Sequence, residues 1–546
     1  MRVSGARLPM FIGMLSLLLA GCAGSPLRSY DDEMQSTLTL VRSGELEQAL
    51  NQLERHNTSL FSSSSGETVE RDADGKRKEV SVLDSISGKD ILYFLEKGEV
   101  LRLQNSIAKS RDSWLMADEI VRVWEDEFRA NPTKVIGEIG AFLISDRVRR
   151  YDGQDYEKVF LSTKLTLDHI LLGNFDHARV EMKKTFEREK LIESFREKEY
   201  DKVREERKEH SVTTTPKDLE KHGYPLDELD TPEVRALKNG FQNAFAHYLA
   251  GYFFEATGEY SLAAPGYRNA LALRPNSAQI KTRLGSVGQN RPGKNEADVL
   301  FVLETGFAPS WKSVTIPLPI RLNQRWMATP LSFPVIRSEG KGFMPKEIRV
   351  GKARLPVETL VDVDAMARRL LKDQLPGIIG RTVVRAVAKS ALQYQAQKQG
   401  GAVGGLVAGI FSVITEQADE RAWRTLPERL AVARANLPGG DWVIEVPTGS
   451  GSVFRGTVTI DPQRTMNVIP IRIVDGTVYF GDARSVGRAG NRDGAANDDA
   501  EKAPAPTTKR PRRDRSQAPA NGNAENISAS APAPAPEEKP IWRKIM

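Results

Sequence analysis

The chain has 546 residues, of which 40% are hydrophobic and 27% charged, and its formal net charge is +6. A single hydrophobic core rarely extends beyond about 250 to 300 residues, so this length predicts two folded domains. The small net charge gives no indication of nucleic-acid binding, and the presence of only one cysteine excludes a zinc–thiolate site.

The N-terminus has the pattern of an export signal. Arg2 and Arg7 precede an apolar run over residues 10–19, which is shorter than the about 20 residues that span a bilayer. Residues 19–22, Leu-Ala-Gly-Cys, resemble the bacterial lipobox, in which the chain is cut before a cysteine whose thiol is diacylated. An ordinary signal peptide with an incidental cysteine is the alternative. Acylation is favoured because Cys22 is the only cysteine, and a free thiol is a liability in an oxidising compartment.

Acyl chains on Cys22 would hold the mature protein on a membrane. Each buried methylene contributes roughly 0.8 kcal/mol, so several chains give a stable anchor where one chain would not. Ala23 occupies the position at which such lipoproteins carry an aspartate for retention in the inner membrane. The sequence therefore predicts a signal peptide over residues 1–21 and an outer-membrane lipoprotein whose folded part faces the periplasm.

Residues 244–275 resemble a tetratricopeptide repeat, a helix–turn–helix unit that binds other proteins. The residues in the packing positions of this repeat are Gly251, Phe254, Ala263, Tyr267, Ala270 and the closing Pro275. Two positions depart from the pattern, since His247 stands where tryptophan is usual and Ala250 where leucine is usual. Repeats of this type carry no chemistry of their own.

The turn and second helix of this unit occur twice more. A glycine is followed by an apolar residue two positions later and an alanine five positions later at Gly44 with Ala49, at Gly173 with Ala178 and at Gly258 with Ala263. The separations are not multiples of a 34-residue repeat, so we expect an irregular helical array over residues 22–285. A set of unrelated helical hairpins is the alternative. Residues 181–210, in which charges of both signs alternate, predict a long helix that packs along one apolar stripe and is otherwise solvated.

Residues 286–296 are rich in Gly, Pro and Asn and predict a linker. Within it, Gly288, Gly293 and Lys294 match the spacing of a phosphate-binding loop, but Asn295 replaces the Ser or Thr that would hold magnesium. The segment also follows a predicted helix rather than a strand. This segment is therefore not predicted to bind a nucleotide.

From residue 297 to residue 480 the pattern predicts a small antiparallel β domain of the sandwich type. The strand candidates are residues 299–303, 313–320, 331–336, 347–350, 442–446, 453–460, 466–474 and 477–480. Pro317, Pro319 and Pro334 predict that several of these strands lie at sheet edges, because proline cannot donate to a ladder.

A helical insert over residues 362–436 divides the strand candidates into two groups. Gly401, Gly405 and Gly409 are spaced four apart, which permits close helix contact, within an apolar run over residues 402–414 that is short of a membrane span. A buried helix is favoured over membrane insertion. The insert ends in a predicted amphipathic helix over residues 415–434, with Trp423 and Leu426 facing inward.

The order of these features resembles a family of bacterial lipoproteins. After the lipobox and the irregular repeats, the stretches that carry the resemblance are residues 301–320, 360–371, 414–434 and 439–446. They are similar to a widespread family of outer-membrane lipoproteins with tetratricopeptide-like repeats and unassigned function. The resemblance implies an α+β architecture from Cys22 to residue 480. It also hints at a link to peptidoglycan synthesis, through an association with lipoproteins that activate peptidoglycan synthases.

Beyond residue 480 the sequence becomes rich in Ala, Pro, Asn and Arg, which predicts a disordered tail over residues 481–546. Its basic cluster, residues 509–515, could contact an anionic envelope polymer such as lipopolysaccharide. A purely solubilising tail is the alternative.

No catalytic pattern is found in the sequence. The six histidines include no His-Glu-x-x-His motif, and residues 449–452 lack the Gly-x-Ser-x-Gly elbow. His169 and His177 lie on a predicted repeat hairpin and are interpreted as packing or surface residues. We therefore expect no metal, cofactor or catalytic residues, and a scaffold that binds an envelope protein partner through its repeats. There are two alternatives: an envelope enzyme such as a cell-wall hydrolase, and an accessory lipoprotein of an export or pore complex.

Overall fold

The computed structural model describes residues 30–55, 89–141, 150–209, 212–289, 291–322, 325–340, 342–387, 418–449, 451–481 and 487–488. All of these described residues belong to one compact unit. The predictions for Cys22, for the 402–414 run and for the basic cluster of the tail lie outside the described residues. The fold is α+β, as expected, with helices before strands.

Helices occupy the first half of the described chain. They are α1 Tyr30–Ser43, α2 Leu46–Arg55, α3 Ile91–Leu103, α4 Ile107–Ala130, α5 Pro132–Ala141, α6 Asp155–Leu171, α7 Phe175–Glu209, α8 Pro216–Glu220, α9 Pro232–Arg235, α10 Ala244–Ala256, α11 Tyr260–Leu273 and α12 Ala278–Gly285, with a 3-10 turn at Leu226–Leu229. A further helix, α13, covers residues 363–387. None of the helices in the described ranges is long and apolar enough to cross a bilayer.

Four pairs of consecutive helices form hairpins with the same turn: α1 with α2, α3 with α4, α6 with α7, and α10 with α11. Each turn has one residue with positive φ, namely Gly44, Asn105, Gly173 or Gly258. In every case the next residue donates its backbone N–H to the carbonyl five positions earlier, as from Glu45 to Leu40 and from Glu259 to Phe254. This is the Schellman arrangement that ends a helix, and it sets the same chain reversal in all four units.

A small buried residue follows each of these turns at the same distance. Ala49, Ser110, Ala178 and Ala263 lie five positions after the left-handed residue, and all four are fully buried. A small side chain at this position lets the two helices of a hairpin approach closely. The array therefore contains a fourth unit of the same kind, at Asn105 and Ser110, which the sequence reasoning missed.

The strands form two stacked sheets and one ribbon. They are β1 Glu296–Thr305, β2 Ser310–Leu322, β3 Arg325–Arg337, β4 Glu347–Val350, β5 Ala353–Pro356, β6 Glu358–Asp362, β7 Arg429–Pro438, β8 Gly440–Pro447, β9 Val453–Ile460, β10 Asn467–Val474, β11 Thr477–Phe480 and β12 Gly487–Arg488. The six-stranded sheet has the order β12-β11-β10-β1-β7-β6, the four-stranded sheet the order β5-β4-β8-β9, and β2 pairs with β3. Of the described pairs, β1 with β10 is parallel and the others are antiparallel.

The two sheets enclose one hydrophobic core. Ile348 and Ile444 of the four-stranded sheet pack against Phe301, Ala433 and Ile471 of the six-stranded sheet. Each predicted strand is present, and β5, β6, β7 and β12 are additional. This is the sandwich arrangement that alternating inward-facing residues favour.

The predicted helix over residues 415–434 is wrong. Residues 418–428 are irregular, and Arg429–Pro438 is strand β7, so the helical insert ends before residue 429. Strand β7 lies between β1 and β6 and is buried on both faces, with Ala431 and Ala433 toward the sandwich core. A strand that is apolar on both faces has no alternation, so its period could not be told from that of a helix.

The helices and the β region share a core. Leu300 and Val302 of β1 and Leu430 and Val432 of β7 point away from the sandwich core and belong to the same hydrophobic cluster as α3, α6 and α10. The predicted boundary at residues 286–296 marks the change from helix to strand, but the packing is continuous across it. The contact reaches the first helix, since Thr477 of β11 donates from its hydroxyl to the Arg42 carbonyl at 2.9 Å.

Candidate functional site

The predicted repeat residues meet where α10 and α11 cross. A Cβ on Gly251 would lie 2.6 Å from Cδ1 of Tyr267, and one on Gly266 would lie 2.7 Å from the backbone nitrogen of Gly251. Gly266, which the sequence reasoning did not single out, therefore completes the close approach. The other predicted residues are placed as follows: Ala263, Tyr267 and Ala270 are fully buried, Phe254 is half-buried, and Pro275 is exposed after the end of α11.

The first helices of the four hairpins, α1, α3, α6 and α10, all contact the β region, and we call their shared surface the inner face. In repeat arrays, such a surface is the usual binding site for a peptide. Here residues 418–428, which we call the inner segment, lie on it. Trp423, Arg424, Thr425 and Leu426 are each fully buried.

Two buried carboxylates hold the backbone of the inner segment. Glu157 of α6 accepts the backbone N–H of Trp423 at 2.7 Å. Glu96 of α3 accepts the N–H groups of Arg424 at 2.6 Å and Thr425 at 2.8 Å. Hydrogen bonds to a charged acceptor are about twice as strong as neutral ones, so this segment is fixed by its backbone as well as by its side chains.

The side chain of Arg424 connects the inner segment to the first helix. Its Nε donates to Asp31 of α1 at 2.6 Å, while its two terminal nitrogens donate to the Ala308 carbonyl and to Glu339. The guanidinium is fully buried, so each of its donors requires a partner. This group thereby fixes α1 against the base of the β2–β3 ribbon, since Ala308 precedes β2 and Glu339 follows β3.

Burial affects the protonation of the carboxylates on the inner face. It raises the pKa of Glu157 to about 7, although the N–H of Trp423 and the hydroxyl of Tyr151 oppose the shift. Burial also raises the pKa of Glu96, against hydrogen bonds from Thr425 and the backbone. These groups thus carry a cost of ionisation that the hydrogen bonds of the inner segment offset in part.

A buried cluster of charges joins the array to the six-stranded sheet. It contains three acidic and three basic side chains, each with at most 6% of the residue exposed: Glu99, Arg102, Lys164, Asp168, Glu304 and Arg472. Lys164 of α6 contacts Glu304 of β1 at 2.8 Å and Glu99 of α3 at 3.1 Å. Although burial opposes ionisation, the neighbouring Lys164, Arg102 and Arg472 lower the pKa of Glu304 to about 2.

A second ionic contact involves the predicted repeat residue Tyr267. Arg434 of β7 donates to the Tyr267 hydroxyl at 2.6 Å and to Glu255 of α10 at 2.8 Å. It also contacts Asp298 of β1, and the exposed fraction of its side chain is 1%. Each of the helices α1, α3, α6 and α10 therefore binds the β region through at least one polar contact.

The long helix α7 is less solvated than its charge pattern predicted. Arg188 is buried and contacts Asp118 at 2.8 Å and Glu125 at 2.6 Å, both on α4. An alternating charge pattern cannot distinguish solvent from a neighbouring helix of complementary charge. His169 is also buried, with its ring stacked on that of His177 at 5.2 Å between centroids.

One small cavity lies beside His247, at the position where the repeat pattern has tryptophan. Its walls include Thr163, Thr166, Thr185 and His247, and its volume is about 10 Å³, which is room for about one water molecule. The Nε2 atom of His247 lies 3.1 Å from a carboxylate oxygen of Glu189.

Comparison with protein-family models, with curated proteins and with solved structures finds no match. The resemblance to the lipoprotein family therefore stays a prediction. What the geometry adds is that the inner face, where a partner peptide was expected, is covered by residues 418–428 and by strands of the same chain.

Proposed function

We propose that the protein is an outer-membrane lipoprotein that acts as a periplasmic adaptor and binds another envelope protein through the outer side of its helical repeats. The observation that carries this proposal is the set of four hairpins with the same turn and the same small buried residue. Stacked helical hairpins provide extended surfaces for protein binding. The sequence pattern at Cys22 supports the lipid anchor, and the resemblance to envelope lipoproteins supports the compartment.

We expect the partner to bind the outer side of the repeats because residues of the same chain already cover the inner face. Glu96 and Glu157 already accept backbone N–H groups of the inner segment, and a partner peptide would have to displace fully buried Trp423 and Arg424. On the outer side, Val180 of α7 and Leu262 of α11 are 51% and 47% exposed.

These two apolar side chains belong to neighbouring helices. Arg179, next to Val180, donates to Glu259 at the start of α11 at 2.7 Å, and Leu262 lies one turn beyond Glu259. Exposed apolar residues with a charged rim are typical of the centre of a protein-binding surface. We therefore expect Val180 and Leu262 to contact the partner.

Site-specific photo-crosslinking tests the proposal in intact cells. A photoreactive amino acid replaces Val180 or Leu262, and Val443 of β8, which is 52% exposed, serves as the matched control. The proposal expects the same envelope protein to be captured at Val180 and Leu262 but not at Val443. Capture only at Val443, or no protein captured at either repeat position, would exclude the outer side of the repeats as the partner surface.

A further inference from the structure

The small cavity beside His247 lies where two neighbouring hairpins meet. Its walls include Thr163 and Thr166 of α6, Thr185 of α7, and His247 and Ala250 of α10. His247 and Ala250 are the two positions at which α10 departs from the residues usual in the repeat pattern. Both departures therefore contribute to the wall of one cavity, between the α6–α7 hairpin and the α10–α11 hairpin.

Three threonine hydroxyls line the cavity as acceptors. Thr163, Thr166 and Thr185 are buried, and each donates its hydroxyl hydrogen to the backbone carbonyl four residues earlier in its own helix, at 2.8, 2.8 and 3.0 Å. A hydroxyl has one hydrogen and two lone pairs. Because that hydrogen is already donated, each threonine can only accept a hydrogen bond from a molecule in the cavity.

The imidazole of His247 adds a fourth acceptor. Its Nε2 lies 3.1 Å from Glu189, whose two oxygens also accept from the side chain of Gln242 and the backbone N–H of Asn243. A carboxylate can only accept, so the neutral imidazole carries its hydrogen on Nε2. Nδ1 then has a free lone pair, and it is buried with no hydrogen-bond partner among the described residues.

The surroundings of His247 hold its ring away from bulk solvent. The residue is 3% exposed, and the Phe186 ring packs on the imidazole with 4.8 Å between the two centroids. A buried acceptor without a hydrogen bond has lost its hydration and gained nothing in exchange. Native proteins avoid this cost by pairing such groups with protein or with ordered water. The lone pair of Nδ1 therefore calls for a donor inside the cavity.

The size of the cavity and the chemistry of its wall select the guest. Its volume of about 10 Å³ has room for about one water molecule. An apolar guest would leave the lone pair of Nδ1 without a partner. Within the described ranges, no group of three or more His, Cys, Asp or Glu side chains is placed to hold a metal ion. The guest is therefore one heavy atom in size and donates hydrogen bonds.

We propose that the cavity binds one structural water molecule, which donates one hydrogen bond to Nδ1 of His247 and the other to a threonine hydroxyl oxygen. The water thereby joins α10 to the preceding hairpin at a place where repeat units usually pack through apolar side chains. Val180 of α7 and Leu262 of α11 belong to the two hairpins that the water joins. The water site itself does not depend on the partner proposed for those two residues.

Crystals of the full-length chain, grown without ammonium salts and diffracting well enough to show ordered waters, test the site directly. We expect one density peak within about 2.7 to 3.2 Å of both Nδ1 of His247 and a threonine Oγ1. A triple variant, with Thr163→Val, Thr166→Val and Thr185→Val, keeps nearly the same shape without the acceptors and should lose the peak. Thr39→Val on α1 is the matched control, because its hydroxyl also donates to the carbonyl four residues earlier, at 2.8 Å. This control should keep the peak.

Nitrogen NMR of isotope-labelled histidine gives a second readout in solution, after circular dichroism has confirmed that each variant is folded. His247 should show the tautomer with its hydrogen on Nε2 and an Nδ1 that accepts a hydrogen bond. In the triple threonine variant, the Nδ1 resonance should shift downfield, toward the position of a nitrogen without a hydrogen bond. His247→Gln identifies the resonance, because it removes one of only six histidines.

Three results would overturn the proposal. The parent could show no peak beside Nδ1 of His247, or an Nδ1 that bonds directly to a protein group. The peak could persist in the triple threonine variant, in which case the threonines do not hold it. Ammonium chloride could raise the unfolding midpoint of the parent, but not of the triple variant, above that in equal sodium chloride, and the guest would then be a cation. Failure of photo-crosslinking at Val180 and Leu262 would leave the water site unaffected.

Discussion

Lys164 of α6 and Glu304 of β1 form an ion pair of 2.8 Å across the boundary between the helical array and the six-stranded sheet. Both side chains are buried, with 1% and 3% of their area exposed. Ion pairs of this kind stabilise a fold less than their Coulomb energy suggests, because both charges lose their hydration. Removing only one partner is costly, however, because the other charge then stays buried without a counter-ion.

Lys164→Met should lower the free energy of unfolding by about 3 to 5 kcal/mol, since Glu304 and Glu99 would stay buried without their shared cation. Urea unfolding at neutral pH measures the change. Lys183→Met, on the solvent side of α7 with 79% of the side chain exposed, should change it by less than about 0.5 kcal/mol. Equal effects of the two substitutions would show that the buried cluster has no special role.

Gly251→Leu should destabilise the protein by at least about 1 to 3 kcal/mol, because any Cβ at this position meets the Tyr267 ring. Gly285→Ala is the matched control: it lies at the end of α12, where an added Cβ would have no atom within 4 Å, and it should be neutral or stabilising by up to about 1 kcal/mol. Thermal unfolding should remain one transition, because α10 shares its core with β1 and β7. Release of a stable β fragment by limited proteolysis would contradict that shared core.

The stability of the fold should fall as pH rises from about 5 to about 8, in part through Glu157. Its pKa is about 7 in the folded protein, against 4.5 for a free side chain. Below pH 4.5 the group is protonated in both states. Between pH 4.5 and 7 the unfolded chain loses this proton first, so stability decreases by about 3 kcal/mol in total.

Glu157→Gln removes this titration. The stability advantage of the parent over the variant should therefore be largest near pH 5 and shrink by about 3 kcal/mol by about pH 8. Urea midpoints at several pH values between these limits would measure it. An advantage that grows with pH would mean that the folded protein stabilises the ionised carboxylate instead.

Glu96→Ala should release the inner segment. The substitution leaves the backbone N–H groups of Arg424 and Thr425 and the hydroxyl of Tyr30 without their acceptor. Trypsin should then cut after Arg424, which is fully buried in the parent and should resist cleavage. Glu187→Ala, at an exposed position of α7, provides the control. If both variants resist trypsin at Arg424, the two carboxylate-bound N–H groups do not hold the segment in place.

Cys22→Ser should abolish labelling with palmitate and yield an uncleaved precursor or a soluble periplasmic species. Fractionation of cell envelopes, with labelled fatty acid as the readout, measures both effects. A variant that retains the label and stays with the outer membrane would be incompatible with acylation at Cys22.

Local patterns in the sequence were sufficient to predict most strands of the β region and three of the four hairpins. Glycine at a left-handed turn and alanine at a helix contact are chosen for steric reasons that act within a few residues. The hairpin at Asn105 and Ser110 was missed because it has asparagine in place of the usual glycine and serine in place of the usual alanine. Asparagine tolerates the left-handed conformation and serine is nearly as small as alanine, so a search that admits both would have found it.

The inner segment could not be predicted in this way. Its apolar and charged residues have a helical spacing, yet its N–H groups are bound by Glu96 and Glu157, which lie 328 and 266 residues earlier in the chain. A local pattern cannot reveal an acceptor at that distance. The same holds for Arg188, whose charge matches a partner helix rather than water.

The contact between Arg42 and Thr477 sets a condition on how the protein folds. The first helix of the array is completed by a strand that comes 435 residues later, so almost the whole chain must be present before that contact can form. Chains dominated by such distant contacts fold slowly and keep apolar surface exposed during that time. If the chain is exported unfolded, as the pattern of its first 22 residues predicts, periplasmic chaperones would have to protect the early repeats until β11 arrives.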